Sequence, residues 1–371
     1  MTRRPVPLDE YPIHQTPLSL RHVATSDRNF YDRWYFNAHD RTGEVLLVTG
    51  MGVYPNLGVV DAYAAVRRGD AQRVVRFSDA LDPDGRGRLE PNVGRYRIEV
   101  AEPLQRVRLA CDSDDHGVAF DLTWHASFPA VMEQPHVMRS GPGGSRAILD
   151  ASRFAQVGSW EGVVRVGGDE LTVDPATWMG TRDRSWGIRP VGEPEAPGRN
   201  ADEPLEGFWW LYVPLRFDDF AVVVIVQEEP DGFRTLHDAA RVWADGRIEQ
   251  LGWPEVDIAY RPGTRHPERA TIHLADRRRK PIDLEVETLG FVALNVGAGY
   301  GGDPDWSHGQ WRGDSFAEGT VYDLTDPAVA SRVPFGVLDH VARATCDGHE
   351  GWGLFEHASF GRHDPTGFSG W

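Results

Sequence analysis

Residues 178–190 read W-M-G-T-R-D-R-S-W-G-I-R-P, a run that sets Asp183 among Arg182, Arg184 and Arg189. If this run is a strand, alternation places Thr181, Asp183, Ser185 and Gly187 on one face and Arg182, Arg184, Trp186 and Ile188 on the other. Should the aspartate's face look into an apolar interior, burial raises the carboxyl pKa and keeps it available as a proton donor near neutral pH. Should an arginine share that space, the carboxylate stays ionised, either as a base or as half of a structural ion pair beneath a tryptophan lid. The residues leave both readings open.

A second candidate is Asp339-His340 in F-G-V-L-D-H-V-A-R-A-T. In a strand the two point to opposite faces, and either could orient water or accept a proton. The preceding H-G-Q-W-R-G stretch supplies His308 and Trp311 as candidate ligand contacts, and Trp160, Trp186 and Arg184 join them from the first half. Five ionisable residues near the carboxyl end (His349, Glu350, Glu356, His357 and His363) have neither zinc-helix spacing nor that of a compact facial triad, so no metal is expected. G-M-G-V-Y-P-N-L-G at 50–58 lacks the G-x-G-x-x-G spacing, no Gly-Lys-Ser/Thr occurs, and no G-x-S-x-G elbow is present. The expectation is therefore chemistry without a cofactor.

The elements that must position these residues are strands. R-Y-R-I-E-V at 95–100, V-A-F-D-L-T-W at 118–124 and I-D-L-E-V at 282–286 alternate as half-buried antiparallel strands do, and 40 glycines and 26 prolines punctuate the chain. The fold class is all-β, built as two tandem antiparallel barrels. The acidic, Pro- and Gly-rich stretch 191–206 separates them, giving barrels over 1–195 and 206–371. F-A-V-V-V-I-V at 220–226 is apolar on both alternating faces, which calls for cover on both, once by its own barrel and once by a neighbour. The two barrels should therefore pack together, with Trp209 and Trp210 near the seam and 178–190 as a late strand of the first barrel facing the second. A weak echo, W-x-G at Trp160 with Asp183 and W-x-G at Trp311 with Asp339, suggests that the halves are related.

Composition narrows the partners. A formal charge of −17 repels nucleic-acid phosphates and anionic lipid headgroups. No apolar run approaches the roughly 20 residues of a membrane-spanning helix. The amino terminus has no apolar signal core, and two distant cysteines suit a reduced, cytoplasmic protein. The basic run Arg277-Arg278-Arg279-Lys280 reads as a solvated hairpin tip.

W-x-G at 160–162, D-R-S-W-G at 183–187 and the two barrel-like halves resemble the lipocalin-like (calycin) proteins related to carotenoid hydratase, also called hydroxyneurosporene synthase. F-N-A-H-D-R-T-G-E and G-M-G-V-Y-P-N, near residues 36–56, resemble an actinobacterial-type branch of that group. The resemblance implies two calycin-type barrels in contact and, for characterised members, cofactor-free addition of water to an isoprenoid double bond with an acidic proton donor. The D-x-x-W-G match carries that role onto Asp183, with Trp186 as an aromatic wall. The chain departs from the hydratases in placing Arg182 and Arg184 beside the aspartate. The expectation is an enzyme acting on a small hydrophobic, isoprenoid- or polyketide-like molecule by acid/base chemistry, with cation-stabilising tryptophans at 160, 186 or 311. Its rivals are a non-catalytic carrier of a hydrophobic ligand and a scaffold with filled barrels.

Overall fold

The period-two patterns fold as antiparallel strands throughout. The computed structural model describes residues 4–13, 19, 22–82, 88–141, 144–195 and 206–370; most of the 191–206 segment lies outside the described residues. Among these, one sheet has fourteen strands and the other ten. The chain is all-β, with one sheet nearly closed into a barrel and the other a half-barrel. No helix among the described residues is long and apolar enough to cross a membrane.

Side-chain parity sorts the apolar residues into three layers. Trp34, Phe36, Trp124 and Trp160 belong to the core inside the first sheet. Leu211, Val222, Val224 and Leu284 belong to the core inside the second. A third layer, holding Tyr35, Tyr63, Tyr212 and Ile225, joins the outer faces of the two sheets. The strand Phe220–Glu228 is buried along its whole length. Its Val222, Val224 and Val226 point into the second sheet's core, while Ala221, Val223 and Ile225 point to the seam. Trp210 lies at the seam, whereas its neighbour Trp209 turns into the second core.

The opening run of interest forms the strand Trp178–Ile188, flanked by Phe30–Asp40 on one side and Arg146–Val166 on the other. Gly180 allows the closest approach here, since a Cβ at this position would lie 2.0 Å from the Asn37 carbonyl oxygen. Arg182 and Arg184 leave by the face opposite Asp183. Arg182 is held bidentate by Glu10, at 2.6 and 2.7 Å, and its Nε donates to Gln156 at 2.8 Å. Glu10 ends the short 3-10 turn Pro7–Glu10 and also accepts the Leu104 amide, so the amino-terminal segment is strapped to the first sheet. Arg184 pairs with Asp32 at 2.7 Å and stacks over Trp34, 4.1 Å from the ring centre.

Two features depart from the sequence reading. Trp311 lies in no strand and is 43% exposed, so the W-x-G echo of the deeply buried Trp160 is not repeated in the structure. Q-W-R-G-D has no alternation to sustain a strand, and Gly313 adopts a positive φ of 106°. The strand that follows, Phe316–Asp323, pairs with Ala71–Ala80 and so extends the first sheet from late in the chain. The basic run 277–280 does form the turn between Pro267–Ala275 and Pro281–Ala293.

Removing one member of a fully buried ion pair leaves the other charge unpaired, at a cost of about 3–5 kcal/mol. Arg182→Met should lower the urea-unfolding free energy by about that amount, and adding Glu10→Leu should recover much of it. A loss below about 1 kcal/mol for the single variant would show that the strap carries little of the stability.

Candidate functional site

Register builds the site. On the first sheet Arg33, Ser185 and Arg153 align across three strands in one row, and Tyr35, Asp183 and Ala155 align in the next. On the second sheet Tyr212, Glu356 and Asp339 align in a row across Gly207–Arg216, His349–His363 and Leu338–Cys346. Between these faces lies a cavity of about 180 Å3, whose walls include Asp183, Arg153, Arg33, Trp210, Glu356 and Tyr300. The aspartate thus opens into the seam between the sheets rather than into a barrel interior.

Asp183 is buried, and among the described residues its carboxyl makes no side-chain hydrogen bond. Burial pushes its pKa up to about 6, against the opposing pull of the Arg153 guanidinium. Arg153 is already committed elsewhere. It pairs with Glu133 at 2.6 Å and lies over the Tyr212 ring, 4.3 Å from its centre. Burial also lifts Glu133, to about 7, although Arg153 opposes it. His136 stacks on Trp210 with ring centres 5.6 Å apart, and its other polar contact is to Gln227. Burial, helped by the charge of Arg153, pushes the His136 pKa down to about 4, so at neutral pH it is an uncharged imidazole.

Behind the cavity Asp339 and Glu356 face each other as direct cross-strand partners. Burial and the neighbouring Glu356 charge hold Asp339 well above the usual carboxylate range, and burial raises Glu356 as well. Two carboxyls so placed cannot both ionise, so they share a proton. The Tyr35 hydroxyl donates to Asp339 at 2.5 Å, and the Trp210 indole donates to Glu356 at 2.5 Å. Of the pair, only Glu356 reaches the cavity wall.

Among the residues singled out in the sequence, the structure brings Asp183 to the cavity and sets Asp339 one layer behind it. His340 points the other way. Its Nδ1 lies 3.2 Å from the Phe355 carbonyl oxygen, and burial lowers its pKa to about 3. Trp160 is buried in the first core, donating to the Asn37 carbonyl. Trp186 and Arg184 lie on the strand face opposite Asp183, and none of Trp160, Trp186, Trp311 and Arg184 lines the cavity. His308 contacts Arg33 behind the wall, with Nε2 and Nη2 3.0 Å apart. The aromatic wall is instead Trp210, Phe208, Tyr31, Tyr35 and Tyr300.

Sequence reasoning passed over Arg33, Glu133, Arg153 and Glu356 as site residues. A signal for two of them exists. Arg33 in F-Y-D-R-W-Y-F and Glu356 in G-L-F-E-H-A each put one charge on an alternating face whose nearest neighbours are aromatic or apolar, Tyr31 and Tyr35 for the first and Leu354 and Ala358 for the second. A lone charge on such a face must find a partner or a cavity. Glu133 and Arg153 carry no such mark, because they meet through a fold-back near residue 130 that pairs Val131–Met132 with Phe154 and Ala155.

The chain belongs to a family of unknown function (DUF8625), whose model matches residues 6–369. No curated protein sequence matches it. Its fold is similar to that of a Nitrosomonas europaea protein provisionally called AttH, at 14% identity and a TM-score of 0.52, covering 89% of this chain and 92% of that one. Kievitone hydratase from Nectria haematococca is similar at 14% identity and a TM-score of 0.50, with 88% of each chain covered. CghA is similar at 12% identity and a TM-score of 0.50, covering 89% of this chain and 88% of that one. At these identities the likeness is one of fold: a lipocalin-like pair of sheets.

An acid whose pKa is raised on folding binds its proton more tightly in the folded state, so stability falls as pH rises from about 4 to about 6. For Asp183 the cost at pH 8 is of order 2–3 kcal/mol. Asp183→Asn should therefore stabilise the fold by about that amount at pH 8 and leave it nearly unchanged at pH 4. Thermal melts of the two proteins across this range check it. Equal melting temperatures at pH 8 would place the carboxyl in a solvated setting.

Proposed function

We propose that the chain is an enzyme acting on a small, largely apolar molecule held in the seam, by proton transfer at Asp183 and without a cofactor. The observation that carries this reading is a buried carboxyl, without a hydrogen-bond partner among the described residues, on a cavity wall and poised near pH 6. Apolar side chains such as Leu149, Met138 and Val337 share the walls with the aromatic rings. Protonated Asp183 would add its proton to a carbon–carbon double bond, leaving a carbocation on the substrate and a carboxylate on the protein. The faces of Trp210 or Tyr300 would stabilise the cation through their π electrons. Water then adds, and the proton it loses returns to Asp183, which closes the cycle for hydration. Loss of a proton without water addition gives isomerisation, attack by a second double bond gives cyclisation, and the reverse of hydration gives dehydration. Kievitone hydratase, similar in fold, makes water addition the reaction to test first.

The test incubates the full chain with a panel of prenylated phenols and polyenes in D2O, with mass spectrometry of the products. A gain of one water, or deuterium uptake without mass gain from water, is expected on at least one member. Asp183→Asn should lower that rate by about a hundredfold or more, as loss of a general acid does. Because the acid form does the work, the rate should decline as pH rises above about 6. A variant with the full wild-type rate sinks the proposal. A panel member bound tightly but recovered unchanged, with binding indifferent to Asp183→Asn, favours the rival reading of a carrier for a hydrophobic ligand.

A further inference from the structure

Building on the reading of the cavity as a substrate site, we propose that its wall at Arg33 and Arg189 is a subsite for an anionic oxygen, a carboxylate or an acidic enol, on the substrate. Other arginines buried in this protein meet a carboxylate directly: Arg153 meets Glu133, Arg182 meets Glu10 and Arg184 meets Asp32. Arg33 does not. It is 4% exposed and lines the cavity, and its side-chain bonds reach only neutral groups, the His308 imidazole at 3.0 Å and the Tyr300 hydroxyl at 3.5 Å. Among the described residues its buried Nε has no partner.

A carboxylate on that side, Asp61, stands behind the imidazole, 3.7 Å from His308 Nδ1. Its oxygens accept from the Gly309 amide and the Tyr54 hydroxyl. With Nδ1–H turned to Asp61 and the Nε2 lone pair turned to Arg33, the neutral ring holds the guanidinium from the rear and leaves its front to the cavity. Arg189 lines the same cavity. Among the described residues its guanidinium has no hydrogen bond or carboxylate, and it rests over Tyr31 and Tyr300, 5.4 and 5.8 Å from their centres. Arg33 lies 5.3 Å from the same Tyr300 ring, so two guanidiniums converge on one side of the space. An arginine withdrawn from water without a counter-charge is costly, and an anionic ligand removes that cost where a neutral one of equal shape does not.

Calorimetric titration of the full chain near neutral pH uses two matched pairs: cinnamate with cinnamamide, and dimedone, which ionises as an enol, with its neutral enol methyl ether. In at least one pair the anion should bind about tenfold or more tightly than its neutral twin. The pair that shows it distinguishes carboxylate from enolate. Arg33→Gln and Arg189→Gln should each bring the ratio close to one, and the half-buried position of Arg189 keeps a variant available should Arg33→Gln fail to fold. Equal binding within both pairs, no binding of either anion at millimolar concentration, or a ratio that survives Arg189→Gln overturns the subsite. Anion preference without turnover of any panel member would remove the enzyme reading and leave the subsite standing. Turnover confined to neutral substrates, without anion preference, would do the reverse.

Discussion

A strand that is apolar on both faces must be covered twice, and the rest of this structure depends on that demand. Val45–Tyr54 and Phe220–Glu228 are buried at every position, so neither sheet could stand alone against water on its outer side. Packing the sheets together meets the requirement and creates a third apolar layer. Ionisable side chains on the same faces are carried out of water with it. Asp183, Glu133, Glu356 and Asp339 owe their raised pKa values first to that removal from solvent, and for all but Glu356 a neighbouring carboxylate adds to it. The chemistry of the seam is a by-product of how the sheets achieve burial.

Parity then decides which charges neutralise each other. In T-R-D-R-S the two arginines go to the barrel side of the strand, where Glu10 and Asp32 take them up as ion pairs. The aspartate goes to the other side and, among the described residues, finds no hydrogen-bond donor there. The same five residues therefore contain a structural clasp and an unpartnered acid, separated by the thickness of one sheet. An ion pair between Asp183 and a neighbouring arginine, which the sequence allowed, does not form among the described residues: Glu10 and Asp32 take the arginines instead. A shift of pairing by one residue would exchange the two roles, which is why register matters more at this strand than at a solvated edge.

The architecture was legible because β periodicity is a local property. Alternation at 95–100 and 282–286, and its absence in favour of double-sided burial at 220–226, state directly which faces are covered. The face of Asp183 was legible for the same reason. What that face looks at was not, since it depends on which sheet packs opposite, and Tyr212, Glu356 and Trp210 reach it from distant parts of the chain. Counting aromatic residues by proximity in sequence misled in the same way. Trp160 and Trp186 are near Asp183 along the strands but on the far side of the sheet, while Trp210 and Tyr300, remote in sequence, line the cavity. Trp311 shows that a short echo of residue types carries no geometry without the alternation that makes a strand.

The pairing of Phe316–Asp323 with Ala71–Ala80 has a consequence for how the chain is made. Arg76 and Glu318, which bond across this pair, are 242 positions apart. During synthesis the early sheet emerges long before its outermost strand exists, and the edge at 71–80 is left with open backbone donors and acceptors for that interval. At about 5–20 residues per second the delay is on the order of ten seconds to a minute. The strand 71–80 carries Arg73, Arg76 and Asp79 among its apolar residues, charges of the kind that discourage edge-to-edge association. The nascent first sheet is thus an intermediate whose last hydrogen-bond ladder waits on translation, and those charges protect it until the late strand arrives.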